Sequence, residues 1–391
     1  MKVLFLSRWY PYPVNNGSKI RVFNLIKGLS GRHPVGLISF YEESDGEPAL
    51  LPMQQICQEV QVIRRKNFDP GSLRALMGFF SLKPRAYIDA YSSEMGEVIR
   101  KSILAHRYDC IIASQVDMAA YADLFAGIPS IFEEAELAVL YDRFAGAETA
   151  AAKLRHWLTW SKHRRFIKSL LEQFALATVV SERERGLLAQ IASQGVAIEV
   201  IPNFIDLNAY AGIKAEPKAD TLIFMGSFNY QPNYQGMVWF QEKVYPRLKA
   251  SNPSLSLTIT GAHGNRPLPN TQDVNLTGYL DDIRPSLASS WCSIVPLHSG
   301  GGTRLKILEA MALRTPVVAT TKGAEGLEVV AGEHILLADD PQQFAEAVES
   351  ILKSSNLRQK LAENAYNLVR EKYDWSVVMP RFITLLEGAI G

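Results

Sequence analysis

Short, nearly unbroken apolar runs punctuate the chain, and longer segments with helical periodicity separate them. The first run is VLFLS, from Val3 to Ser7; a loop rich in Pro, Asn and Gly follows, and then IRVFNLIKGLS, with Ile20, Phe23, Ile26 and Leu29 at the spacing of one helix face. The order strand, loop, helix repeats with VGLISF, VQVI, CIIAS, SIF and ATVVS. After IPNFIDLNAY a second series begins: LIFMGS, LSLTITG, VNLTG, CSIVPL, PVVAT and HILLA, again interleaved with helical patterns. Strands that alternate with helices predict a mainly parallel, doubly wound sheet. Two such series predict two sheets, joined near residues 202 to 210.

The fold class is therefore α/β, with two Rossmann-like domains. At 391 residues, 47% of them hydrophobic, the chain has the material for two cores. Gly- and Asn-rich turns such as FMGSFN and TITGAHGN close several strands, and ligands of open α/β sheets collect at those carboxyl ends. A site between the domains is the expectation.

Net charge narrows the partners. At +1 it gives a nucleic-acid polyanion no purchase. The cysteines Cys57, Cys110 and Cys292 lie far apart and form no metal-binding spacing, which predicts a reducing compartment and no structural metal. The N-terminal apolar run, broken at Ser7 and Arg8, is too short for a signal-peptide core or a bilayer span, so a cytoplasmic location is expected. The run from Lys153 to Phe174 is basic and carries Trp157, Trp160 and Phe166, but its apolar residues do not form one clean helix face. It reads as a long helix of the first domain with a solvated basic side; peripheral contact with the inner face of a membrane is the weaker alternative.

The most specific chemistry lies in SGGGTRLKILEAMA, Ser299 to Ala312. Its glycines let a ligand approach the main chain closely. Thr303 is the predicted N-cap, and Leu305, Leu308 and Ala312 predict a buried helical face, so Gly301, Gly302 and Thr303 would deliver a ligand to the free N–H groups of a helix start. Arg304 and Lys306 oppose the macrodipole there unless an anion lies between them and the helix end. A diphosphate satisfies all these features, and Glu309 is placed to accept from a sugar hydroxyl beyond it. Gly226 and Ser227 end the first strand of the second series, where the pattern fits equally a turn N–H that reaches a phosphate and a plain turn. No Walker loop and no GxGxxG occurs, which disfavours a dinucleotide-dependent dehydrogenase. His263 and His298 read as local hydrogen-bonding residues and Asn203 as a hinge or turn residue.

With HSGGGTRLKILEAMALRTPVVATTKGAEGL, IPNFID, FMGSFNYQPN, TGYLDDIRPSLASS and YPVNNGSKIRVFNLIKGLS in this order, the chain resembles a retaining glycosyltransferase of family 4, the group-1 class with the GT-B architecture. The resemblance implies two Rossmann-like domains facing a central cleft: residues 1–203 for the acceptor, with the last helix, about 375–391, crossing back, and residues 204–374 for a nucleotide-sugar donor. It implies transfer to a hydroxyl of a glycan, lipid-linked or small-molecule acceptor, independent of metal and of any cofactor. Glu309 matches the ribose-binding glutamate, Arg304 and Lys306 the diphosphate cations, Gly17 the glycine loop of the first domain, and Leu308 falls in the donor-binding run. Three features depart from the family pattern. Gly301 stands where an earlier glutamate is common, no Arg-Lys pair follows LIFMGS, and in IFEEAELAVLYDR only Glu136 matches, with no histidine; Glu134 is a further candidate there for positioning the acceptor or sugar. The chain has no Asp-x-Asp, so Arg304, Lys306 and the helix terminus are expected to stabilise the leaving diphosphate in place of a metal. An epimerase of the same architecture and a catalytically silent partner subunit are the alternatives, and uridine, guanosine and adenosine donors all fit.

Overall fold

The computed structural model describes residues 1–43, 46–269, 273–302 and 304–390. It divides into two compact units, Met1–Pro202 with Met379–Gly391, and Asn203–Val378. The division falls one residue before the expected point in the linker, and within the last helix, Trp375–Ile390, where the expected boundary was its start.

The first unit is built on a sheet of β1 (Val3–Ser7), β2 (Val35–Tyr41), β3 (Glu59–Arg64), β4 (Cys110–Ser114), β5 (Ser130–Glu133), β6 (Leu176–Val179) and β7 (Ala197–Val200). Every pairing is parallel and the order is β3-β2-β1-β4-β5-β6-β7. Helices cover both faces of such a sheet, so its central strands are apolar throughout: β1 and β4 are buried at every position. Leu4, Leu6, Ile38, Ile111 and Phe132 are wholly buried in one core. Strand β7 is absent from the sequence-based expectation. It is four residues long, lies on the sheet edge, and only Val200 is buried, so it carries no continuous apolar run.

The second unit holds β8 (Lys218–Met225), β9 (Ser256–Thr260), β10 (Val274–Gly278), β11 (Ser290–Val295), β12 (Val317–Ala319) and β13 (Leu336–Leu337), all parallel, in the order β10-β9-β8-β11-β12-β13. Both orders are of the Rossmann type, in which chain direction across the sheet reverses beside the first strand. The switch points lie between β1 and β4 and between β8 and β11. Loops leaving the two strands at such a point diverge and open a crevice at their carboxyl ends. The entry and exit segments of the second unit are joined: the Ile205 N–H donates to the Tyr373 carbonyl (3.0 Å) and the Trp375 N–H to that of Ile205 (2.8 Å).

One polar contact lies inside the first core. Arg21, on the helix Gly17–Ser30, donates through Nε to Glu133 Oε1 at 2.7 Å and through Nη1 to the Pro202 carbonyl at 3.1 Å; the Arg21 and Glu133 side chains are 1% and 0% exposed. Glu133, the last residue of β5, also accepts from Ser114 Oγ at the end of β4 (2.6 Å). Removing one partner of a buried pair strands the other charge away from water. Arg21→Met is therefore expected to cost about 3–5 kcal/mol in chemical denaturation; a loss below about 1 kcal/mol would show that Glu133 is not left as a stranded buried charge.

Candidate active site

The switch point of the second unit gathers most of the residues singled out in its sequence. Gly226 and Ser227 leave β8, and the glycine loop from Ser299 leaves β11 by way of Pro296 and Leu297. Gly226 has φ +154°, and a Cβ there would lie 2.5 Å from Asn233 Nδ2 and 2.9 Å from Lys306 Nζ. A Cβ on Gly261 would meet the Gly226 carbonyl carbon at 2.7 Å. The turns after β8 and β9 thus touch backbone to backbone, which only glycine permits. In the loop after β11, Gly300 at φ +97° lies against Tyr230 Oη, while at Gly302, φ +78°, a Cβ would meet nothing within 4 Å, so glycine there serves the backbone angle.

Lys306 reaches into this junction from the helix Leu305–Ala312. Its ammonium donates to Asn233 Oδ1 at 2.9 Å and stands 4.6 Å from the centre of the Phe224 ring. Asn233 is oriented in turn by donating from Nδ2 to the Ser227 carbonyl at 2.9 Å. Among the described residues no carboxylate lies within ion-pair distance of Lys306. Burial, and next the neighbouring Arg304 charge, push the Lys306 amine down to about 7. On the same helix, burial pushes the Glu309 carboxyl up to about 6, while it accepts from the Tyr210 hydroxyl at 3.2 Å. Arg284, paired with Asp282 at 2.7 Å, bonds the Ala209 carbonyl beside Tyr210.

Arg304 plays a different part from the one expected of it. It is 6% exposed and occupies the cap position of the helix, and its guanidinium turns back on the glycine loop. Nη1 donates to the Gly301 carbonyl at 2.7 Å and Nη2 to those of Gly300 at 2.9 Å and Ser299 at 3.5 Å. The side chain thus staples the loop through Nη1 and Nη2, while its buried Nε has no acceptor among the described residues. Thr303, the expected N-cap, lies outside the described residues. Leu308 is wholly buried with Leu305, Ile307 and Met311 on the apolar side of the helix, so it anchors the helix and cannot touch a donor, which corrects its placement among donor contacts.

In the first unit the switch point carries acids. Glu134, after β5, and Gln115, after β4, both hold left-handed backbones (φ +56° and +66°), a costly conformation for residues with side chains. Gln115 Nε2 donates to Glu134 Oε2 at 2.8 Å. Burial, and next the adjacent Glu133, push the Glu134 carboxyl up to about 8. Glu184 caps the following turn, accepting from the Leu137 and Ala138 N–H groups at 2.8 and 3.1 Å. Glu136 lies in the same turn, half-buried, in a backbone contact with His163, whose pKa burial lowers to about 4. Gly17, by contrast, is an exposed first residue of its helix, behind Asn16, whose side chain accepts from the Lys19 N–H at 3.0 Å.

Residues 219–354, within the second unit, match the model of the family Glycosyl transferases group 1. The second unit carries a group 1 glycosyltransferase domain. It is 23% identical over 400 aligned residues to a 44.6 kDa protein in the cps region of Klebsiella pneumoniae, covering 95% of this chain and 96% of that one. A lipopolysaccharide core biosynthesis glycosyltransferase, LpsE of Rhizobium meliloti, is 31% identical over 29% of this chain and 34% of its own. The fold matches Anabaena HepE, solved with UDP and glucose, at a TM-score of 0.67 and 16% identity, over 99% of this chain and 100% of that one. The two parallel sheets of the glycosyltransferase are those of the GT-B architecture.

Of the residues read from sequence, the structure brings Gly226, Ser227, Gly301, Gly302, Arg304, Lys306 and Glu309 to neighbouring loops and one helix of the second unit; Gly17 and Glu136 belong to the first. His298 contacts the Trp239 ring at 4.5 Å and His263 the Phe228 ring at 5.1 Å, in keeping with local roles. Sequence reasoning missed Asn233 and Tyr210. Both are single polar residues that become site residues only through contacts 73 and 99 positions away.

The shifted amine has a consequence for stability. The ordinary lysine value is 10.5 and the native value about 7, so between those pH values the unfolded chain binds more protons and stability rises with pH. Lys306→Met should flatten that rise, seen as a wild-type minus variant difference in urea unfolding between about pH 6.5 and 9.5; identical pH profiles would refute the buried-cation assignment.

Proposed function

We propose that the enzyme transfers a hexose from a UDP-sugar to a hydroxyl of a saccharide acceptor, with retention of anomeric configuration and without a metal. The carrying observation is Lys306: a desolvated ammonium with one neutral acceptor, set where two glycine turns meet at a switch point. A diphosphate there supplies the missing negative charge, and the loop and helix-start N–H groups bind its oxygens. Glu309, already aligned by Tyr210, is the ribose partner. Arg304 acts by holding the glycine loop in register, and its positive charge adds to that of Lys306. HepE, solved with UDP and glucose, supports uridine over the other bases. The cps-region relative and LpsE support a surface glycan or lipid-linked saccharide as acceptor.

In this reading the bond from the sugar anomeric carbon to the diphosphate oxygen breaks as the acceptor oxygen bonds to that carbon on the same face. The acceptor's proton passes to the departing phosphate oxygen, so no side chain serves as nucleophile. Lys306 and the backbone donors stabilise the charge that builds on the diphosphate. Among the described residues no three His, Cys, Asp or Glu side chains converge as metal ligands would. Glu134, kept largely protonated beside Gln115, and Glu136 are the carboxyls assigned to acceptor or sugar positioning.

Calorimetric titration with UDP, GDP and ADP in the presence of EDTA tests this. UDP should bind at micromolar strength, and Lys306→Ala should weaken it by about 1.5–3 kcal/mol. If UDP binds only with added metal the electrostatic part of the reading fails; if no diphosphate binds, the silent-subunit alternative replaces it.

A second readout isolates the charge. At pH 8 a Lys306 amine held at about 7 is mostly neutral, and a bound dianion returns it toward the ordinary lysine range. UDP binding should then take up close to one proton at pH 8 and far less at pH 6, measured in buffers of different ionisation enthalpy. Lys306→Met should abolish the uptake; uptake that persists in the variant places the proton elsewhere.

A further inference from the structure

The segment after β3 in the first unit is turned inside out. In the short helix Leu73–Met77, small Ala75 is wholly buried, while Leu73 (73% exposed), Leu76 and Met77 face outward. Phe79 follows, then Phe80 at 96% and Leu82 at 73% exposed. Seven of the twenty large apolar side chains most exposed among the described residues fall within residues 68–82. A single exposed leucine is ordinary, but a cluster of this size marks an interaction surface. The chain is held in this shape: a Cβ on Gly78 would lie 2.6 Å from Arg85 Cβ, and Lys162 Nζ donates to the carbonyls of Phe79 (2.7 Å) and Gly78 (3.3 Å).

Lys162 belongs to the helix Ala150–Leu171, and Leu158 and Leu154, four and eight residues before it, lie on the same stripe. Both are exposed, at 49% and 59%, so the apolar surface continues from the Phe79 loop onto that helix. The charge around it is mainly basic. The helix has six Lys and Arg residues and no acid, and Arg74, Lys83 and Arg85 flank the exposed cluster, in a chain whose net charge is +1. Of the nearby acids, Asp89 is buried and taken up by Ser72, Lys66 and the Asp69 N–H, while Asp69, which accepts from the Gly71 N–H at 2.9 Å, and Asp123 beside Lys83 are exposed and outnumbered by the cations. The Arg85 guanidinium lies 4.6 Å from the Phe79 ring centre and 5.2 Å from that of Phe68, so the cation sits against the aromatics.

We propose that residues 68–85 and the exposed stripe of the helix Ala150–Leu171 dock the enzyme on an anionic membrane surface. The outward Leu, Met and Phe side chains enter the interface and the surrounding Lys and Arg residues meet lipid phosphates, the division of labour of interfacial proteins. Among the described residues no helix is long and apolar enough to cross a membrane, and the contact proposed is peripheral. The inference goes beyond the donor reading and needs no knowledge of acceptor or base.

Flotation of the full chain with vesicles tests it without an activity assay. Binding to phosphatidylcholine vesicles containing phosphatidylglycerol should exceed binding to phosphatidylcholine alone by at least about tenfold, and should fall as salt is raised. Phe80→Ser combined with Leu82→Ser should lower it by at least about tenfold, with circular dichroism and UDP titration unchanged. Arg155→Glu with Arg164→Glu, both exposed, should remove the preference for anionic vesicles. Equal binding to both vesicle types, no flotation, or unchanged flotation of the Phe80/Leu82 variant overturns the proposal. A dimer in light scattering that the same variant dissociates, without flotation, would assign the face to a second copy instead.

Discussion

The second unit's site is organised by a half-buried ammonium that, among the described residues, meets no carboxylate at ion-pair distance. Removing a lysine charge from water is unfavourable unless something replaces the lost hydration. Lys306 receives one amide oxygen and the face of Phe224, which is less than water provided. The remaining deficit appears as an amine shifted down to about 7, and a bound anion would make it good. Every neighbouring feature serves that position. Gly226 removes the side chain that would collide with Asn233 and the amine, Gly261 lets the next turn close behind it, and Asn233 is fixed from Ser227.

The same topology is used twice with opposite electrostatics. In the first unit the residues at the ends of β4 and β5 bury a matched pair, Arg21 with Glu133, and then crowd a second carboxyl, Glu134, beside it. Two carboxyls in sequence with one dominant cation cannot both ionise easily, so the strain falls on Glu134. Its left-handed backbone, shared with Gln115, shows that the fold enforces this geometry against local preference. A protonated carboxyl can donate a hydrogen bond, so this crevice is suited to hydroxyl recognition as the other is suited to phosphate.

Much of this was legible in the sequence because the physics is local. Twelve of the thirteen strands were visible as apolar runs, since a parallel sheet buried on both faces needs them, and β7 escaped because its four residues AIEV are interrupted by Glu199 and bury only Val200. The glycine loop with Arg304, Lys306 and Glu309 was visible because close approach, helix start and charge coincide within a dozen residues. What stayed hidden depends on distant contacts or on backbone angles. Nothing in NAYA marks Tyr210 as the partner of Glu309, and nothing in IFEEAEL says that the second glutamate takes a left-handed turn. Leu308 shows the opposite error: proximity in sequence to ligand-binding residues does not carry a side chain to the ligand when the helix face points into the core.

The division between Arg304 and Lys306 follows from their chemistry. A guanidinium has five fixed donors and stays charged, so it can bind several carbonyls of a tight loop at once. Arg304 does this with the carbonyls of residues 299–301 while its Nε finds no acceptor among the described residues. An ammonium is a compact charge whose proton can leave when no anion is near, which suits a position that must be tolerable when empty and strongly positive when filled. Exchanging the two would leave the loop held by one donor group and a permanent charge buried at the switch point. The order Gly-Thr-Arg-Leu-Lys therefore puts the rigid cation against the loop and the titrating one at the switch point, two residues further along the helix.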